Sequence, residues 1–340
     1  MTAAQSAGGR LRDYFEFVAA VIYFFVARAI AHHAAQGLVR DDWNALIEQA
    51  MLAFLLIVGY ASMGFWFDRE ANPIGGQGLP SREGFTTEIG LGLATGWGLA
   101  VVCVLPLVVF GGIAIVLSGD LASWGWLAGD AAFFALATLV EEVAFRGYGF
   151  QRFVRALGPF GASLGFAAYY GVLQSTIPGS GRASFAVSVA LGLVLSAAYL
   201  RTRALWLSWG LNFGWKASRA LLFGLAVNGG GSHSHVVQGD PMGPFRLTGG
   251  AFGLDGSWLA FVVLLAAIPV VFRITRDLDF RYNAPVLKPA GMPVDLDAAA
   301  RAQHEAAMGA QEPAAPALVQ IGAAPAPPAE RPSTDRTTLD

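Results

Sequence analysis

Residues 139–153 read LVEEVAFRGYGFQRF. Two adjacent acids, Glu141 and Glu142, and then Arg146 interrupt an otherwise apolar run from about 126 to 150. Ionisable groups inside a membrane-spanning helix are costly and mark functional sites by default. On a helix, Glu142 and Arg146 stand at i and i+4, share a face and can pair. Glu141 is turned about 100° from Glu142 and cannot use the same geometry. Arg146 therefore neutralises one carboxylate, and the other is left for chemistry or is held protonated by desolvation. For Glu142 and Arg146 the plainer reading is an ion pair that locks a helix bundle. For Glu141 it is a protonated carboxyl bonded to a neighbouring helix, which stands beside a role as general base.

The rest of the chain says that this run lies in a membrane. Of 340 residues, 55% are hydrophobic and 14% charged, and mean hydropathy is +0.51. Soluble domains carry roughly a quarter charged residues, so there are too few charges here to clothe a soluble surface. A wholly disordered chain, a soluble enzyme and a nucleic-acid binder are excluded; the net charge of −2 offers no basic field for DNA or RNA. A single cysteine, Cys103, excludes a disulfide framework and a cysteine-based zinc site.

Apolar runs at 14–35, 45–67, 89–117, 126–150, 160–176, 184–200, 203–227 and 257–273 predict eight helical spans. The expected fold is an all-α, polytopic transmembrane helix bundle occupying residues 1–290. No small-residue cleavage site follows the first run, so it reads as retained. With eight spans, Arg10, Arg12, Arg69, Arg82, Arg152, Arg155, Arg201, Arg203, Arg273, Arg276, Arg281 and Lys288 all fall on one side. The positive-inside rule then puts both termini in the cytoplasm, with the protein in the cytoplasmic membrane. Residues 291–340 form an Ala/Pro-rich cytoplasmic tail expected to be disordered. The Gly-rich loop 228–256 is expected outside the membrane, and its SHSH at 232–235 reads as flexible and polar. Gly92/Gly96, Gly161/Gly165 and Gly210/Gly214 have the spacing of close helix packing. No internal repeat of the transporter kind is visible, which argues against solute transport.

Further polar residues lie at membrane depth: Tyr169 and Tyr170, then Asn212, Lys216 and Arg219. Asn212 and Lys216 share a helix face as i and i+4 and both can donate into a cavity. Lys216 can neutralise Glu141 or Glu142. Arg219 is expected to snorkel to an interface.

Taken together, Glu141-Glu142-xxx-Arg146, GFAAYYG at 165–171 and YLRTRALWLSWGLNFGWK at 199–216 resemble, in order and spacing, the motifs of the CPBP intramembrane proteases. That family contains the CAAX prenyl endopeptidases and bacteriocin-processing relatives. Phe166 matches its FxxxH helix, and Tyr199, Leu205, Trp206 and Gly210 match the helix that carries its GLHxxxN. The Gly-rich GPFRLTGGAFGLDGS at 243–257 is similar to a segment of bacterial members. The resemblance covers about residues 85–275. It implies an intramembrane endopeptidase in which a glutamate, Glu141, activates water to attack a peptide bond near the membrane. It also implies a site at Glu141, Glu142, Arg146, Tyr170, Asn212 and Lys216, in a cavity opening towards the cytoplasmic half. Family members may use a divalent metal, but the first family His falls on Tyr170, the second on Asn212 and the family Asn on Lys216.

A catalytic zinc site usually needs three protein ligands, so no metal or other cofactor is expected. None of the five histidines supplies one: His32 and His33 end the first span on the far side, His233 and His235 lie in the loop, and His304-Glu305 lacks a second His. Two readings stay open. In one, Asn212 and Lys216 stabilise the oxyanion of a metal-free hydrolase while Tyr170 holds the water. In the other, the protein is a pseudoprotease, a membrane scaffold or a peptide- or lipid-binding protein. A Lys216–Glu contact filling the cavity favours the second; an open pocket with Glu141 free favours the first. Expected partners are the lipid bilayer and a hydrophobic or membrane-anchored peptide, with no nucleic acid.

Overall fold

The computed structural model describes residues 7–38, 41–118, 121–282, 301 and 303–306. The chain divides into two units, Met1–Ala284 and Pro285–Asp340. In the second, residues 301 and 303–306 are helical, and the rest of the expected tail lies outside the described residues.

In the first unit the chain runs through α1 (Ala7–Leu38), α2 (Asp41–Asp68), a single turn α3 (Pro73–Gly76), α4 (Phe85–Val109) and β1 (Ile113–Leu117). Next come α5 (Leu121–Arg146), α6 (Tyr148–Ser175), α7 (Arg182–Thr202) and α8 (Leu205–Ala217), which ends in a π turn, Ser218–Leu222. After these follow β2 (Val237–Pro241), α9 (Phe245–Thr248), two short 3₁₀ turns, α10 (Trp258–Ile274) and α11 (Arg276–Tyr282). Eight helices occupy the eight expected spans, and the protein is an all-α membrane bundle. Among the described residues, α1, α2, α4 and α7 are long and apolar enough to cross a membrane, and α10 is a shorter apolar helix.

The third expected span, 89–117, ends at Val109; beyond it, β1 pairs antiparallel with β2, Ile113 opposite Pro241. The seventh, 203–227, is helical only to Leu222. The fifth begins earlier than expected, at Tyr148, and is broken at Gly158–Pro159, where the proline has no amide proton to give. The Gly-rich loop is built rather than flexible. Gly253 has φ +78, and a Cβ there would lie 1.9 Å from Ala226 O. Within SHSH, Ser234 is buried; its amide and His233 Nδ1 donate to the two oxygens of Asp130, at 2.8 and 3.0 Å.

Two features position the site. First, α4 and α8 meet backbone to backbone. A Cβ on Gly92, Gly96, Gly210 or Gly214 would lie 2.2–2.5 Å from a carbonyl oxygen of the opposing helix. Only glycine allows such an approach, which gains contact area where the hydrophobic effect does not drive association. Second, the arginines of the N-terminal end are tied into ion pairs. Buried Arg152 meets Asp68, with Nη1 2.8 Å from Oδ1, and lies 3.5 Å from Glu16. Arg82 binds Glu88 at 2.8 Å and Arg201 binds Asp279 at 2.6 Å.

Candidate functional site

Three helices supply the site. The second half of α5 brings Glu141, Glu142 and Arg146, α6 brings Tyr170, and α8 brings Asn212 and Lys216. All six residues converge. Arg146 Nη1 donates to Glu142 Oε1 at 3.1 Å, the i and i+4 pair expected from spacing, and both side chains are buried. Lys216 Nζ takes Glu141, 2.5 Å from Oε1 and 2.6 Å from Oε2. Asn212 Nδ2 bridges the carboxylates, donating to Glu141 Oε2 at 3.0 Å and to Glu142 Oε1 at 2.9 Å. Tyr170 donates to Glu141 Oε2 at 3.5 Å and accepts from Lys216 Nζ at 3.4 Å.

Two carboxylates and two cations close a neutral tetrad. Burial of these charges is tolerable because each carboxylate is matched and hydrogen-bonded. The lysine is suited to this place: a compact point charge on a flexible stem reaches both oxygens of one carboxylate.

A cavity of about 360 Å³ abuts the tetrad. Of the six residues only Glu141 and Tyr170 line it; Lys216, Asn212, Glu142 and Arg146 stand behind that wall. The Glu141 side chain is 23% exposed, against 5% for Lys216 and 0% for Glu142. Neither outcome set out above is met in full: Lys216 contacts Glu141, yet the cavity stays open.

The direction of the cavity differs from expectation. Its lining includes Arg28 from the second half of α1, Glu48 from the first turns of α2, Thr176 and Ile177 beyond α6, and Asn228. That end is opposite the one holding Arg12, Asp68 and Arg152, so the cavity opens away from the arginine-rich end.

Two neighbours were not singled out from sequence. Gln174, one turn after Tyr170, donates to its hydroxyl at 2.9 Å. Asp255, in the Gly-rich loop, meets Arg219 at 2.8 Å and accepts from the Asn228 amide at 2.9 Å. Arg219 is accordingly fully buried, stacked on Trp215 and ion-paired, and does not snorkel to an interface. The i and i+4 spacing was a legible signal for Gln174; for Asp255 there was none.

The donor set does not fit a metal. Each glutamate already faces a cation, and among the described residues no three His, Cys, Asp or Glu side chains stand close enough to hold an ion. Glu142 Oε2 and Asn212 Oδ1 are buried acceptors with no hydrogen-bond donor.

Residues 123–218 match the family model described as type II CAAX prenyl endopeptidase Rce1-like. No curated protein and no solved structure matches this chain. The matched stretch runs from α5 into the π turn and contains all six site residues. It is narrower than the expected 85–275: α4, the Gly-rich loop and α10 lie outside it. Over this stretch the resemblance to the CPBP intramembrane proteases holds, and the protein is a membrane protein with a CAAX-endopeptidase-like core.

Proposed function

We propose that the protein is an intramembrane endopeptidase of the CAAX type that works without a metal on a hydrophobic or membrane-anchored peptide. The observation that carries this reading is the position of Glu141, the one tetrad carboxylate that faces an open cavity. Its Oε2 accepts from Lys216, Asn212 and Tyr170, whereas Oε1 accepts from Lys216. Oε1 thus keeps a lone pair for a cavity water.

The water attacks the scissile carbonyl carbon and its proton passes to Glu141, which acts as general base. The carbonyl oxygen gains the negative charge that Glu141 gives up. Lys216, no longer facing a carboxylate, stabilises that oxyanion by its positive charge from one side chain behind the cavity wall, with Asn212 beside it. The amide C–N bond then breaks as protonated Glu141 returns the proton to the leaving nitrogen. Arg146 keeps Glu142 matched throughout, and Tyr170 orients the base.

The arginine-rich end supports a cytoplasmic-membrane location with both termini in the cytoplasm. The cavity then opens to the outer half of the bilayer. The test is cleavage of a fluorogenic membrane peptide by the purified protein in nanodiscs. Glu141→Gln is expected to abolish it; cleavage at the wild-type rate by this variant overturns the reading.

One contact favours a second reading. An ammonium occupies both oxygens of the carboxylate that would have to take the proton, which suits a pseudoprotease that holds a peptide without cutting it. In that case peptide capture survives Glu141→Gln and neither protein turns the peptide over.

A further inference from the structure

Asn228 and Gly229 form the corner of a tight hairpin turn at the start of the Gly-rich loop. Val227 and Gly230 exchange both backbone hydrogen bonds, each at 3.0 Å. Asn228 and Gly229 have φ +52 and +76. These are the paired left-handed conformations of a type I′ turn, for which Asn-Gly is a preferred sequence. The turn is fixed to the rest of the loop. The Asn228 amide donates to Asp255 Oδ2 at 2.9 Å and the Gly229 amide to Phe252 O at 3.1 Å. Asp255 is in turn paired with buried Arg219 at 2.8 Å. The Asn228 side chain has no hydrogen-bond partner among the described residues, and Asn228 lines the same cavity as Glu141.

A peptide lying in this cavity sets its side chains against apolar residues such as Phe133, Val140 and Phe145. Its main-chain N–H and C=O groups need partners there, since a buried polar group left unpaired costs free energy. Most of the polar lining is already committed: Glu141 to Lys216, Glu48 to His32, and the Gln174 amino group to Tyr170. Arg28 offers donors only. Gln49 offers both kinds of group, but on a longer side chain that costs more entropy to hold. Asn228 offers a donor and an acceptor side by side, on a turn whose backbone is already fixed. An extended residue presents its own N–H and C=O on one edge, so the two match in a pair of hydrogen bonds.

We infer that the Asn228 carboxamide binds the main chain of an extended peptide in the cavity, exchanging two hydrogen bonds with one of its residues. Asn228 is thus a binding residue that reads peptide backbone rather than side chains, and the Arg219–Asp255 pair holds it in place. The inference rests on the peptide ligand proposed above, and it stands whether that peptide is cut or only held.

The experiment is fluorescence anisotropy of a labelled hydrophobic peptide with the full chain in nanodiscs. The parent protein carries Glu141→Gln, so that no peptide is consumed. Adding Asn228→Gly removes the carboxamide and keeps the turn, since Gly-Gly also suits type I′. It should weaken binding about tenfold, the scale of one or two neutral hydrogen bonds. Peptide analogues, each N-methylated at one amide, locate the contact. One of them should lose a similar factor on the parent and nothing further on the Asn228→Gly form. Binding by the Asn228→Gly form at the parent affinity means that Asn228 only makes the turn, and overturns the inference. A set of analogues that all bind the parent like the unmethylated peptide also overturns it, and that comparison holds even if Asn228→Gly lowers the melting temperature. A loss from Asn228→Gly that is equal for every analogue assigns the effect to cavity shape and overturns it too. Absence of saturable binding by every form overturns the peptide reading itself together with this inference.

Discussion

Lys216 Nζ lies 2.5 and 2.6 Å from the two carboxylate oxygens of Glu141, across the junction of α8 and α5. The pair is the hinge between chemistry and structure in this protein. It joins α8 to α5 and occupies both oxygens of the carboxylate that lines the cavity.

Removing one member should therefore cost stability as well as activity. Lys216→Met leaves Glu141 facing only Asn212 and Tyr170, and should destabilise the protein by about 1–3 kcal/mol, less than a fully buried pair because the carboxylate meets the cavity. The double variant Glu141→Gln/Lys216→Met should lose less than the sum of the two single losses. Thermal unfolding in detergent across this double-mutant cycle measures the coupling, and strict additivity would show that the pair is not formed.

Exchanging the three departures for the family residues makes a second test. Tyr170→His, Asn212→His and Lys216→Asn together remove the cation on Glu141 and supply two imidazoles beside it. Cleavage of the reporter peptide should rise, and sensitivity to chelators should appear, since two His and a carboxylate are a catalytic ligand set. A folded triple variant with no gain over wild type would separate this site from the family's chemistry.

The Arg219–Asp255 pair predicts how the Gly-rich loop is held. Asp255→Ala strands a fully buried guanidinium and should cost about 3–5 kcal/mol. Limited proteolysis should then cut within 228–256, where the wild-type chain resists. Replacing both partners by apolar residues, Arg219→Met with Asp255→Leu, should recover much of the loss.

Glycine positions on α4 give a contrast within one helix. A methyl on Gly96 meets Leu211 O at 2.2 Å, whereas one on Gly98 meets nothing within 4 Å. Gly96→Ala should destabilise by about 1–3 kcal/mol or more through overpacking, and Gly98→Ala should leave the melting temperature unchanged or slightly raised. Similar melting of the two variants would refute the backbone contact between α4 and α8.

What could be read without the structure follows physical lines. The helices were legible because hydrocarbon demands long apolar runs, and the run around Glu141 showed its charges plainly against that background. The Glu142–Arg146 pair followed from helical spacing, and Lys216 followed from the need to match a buried carboxylate. The ends of the third and seventh spans were not legible, because an apolar strand such as Ile113–Leu117 has the same composition as a helix end; only its pairing with Val237–Pro241 decides. Asp255 was hidden because its partner, Arg219, is distant in sequence and it sits in a Gly-rich loop. The direction of the cavity depends on which ends of α1, α2 and α6 leave a gap, and no local pattern records that.

The glycine contact has a consequence for the site itself. The height of α8 in the bundle is set by its main chain resting on α4, not by what residues 212 and 216 carry. Those two positions are interchangeable sockets: an imidazole, an amide or an amine can be fitted there while the frame holds its place. Under the proposed function, two or three side chains on that frame decide between cutting a peptide and holding it.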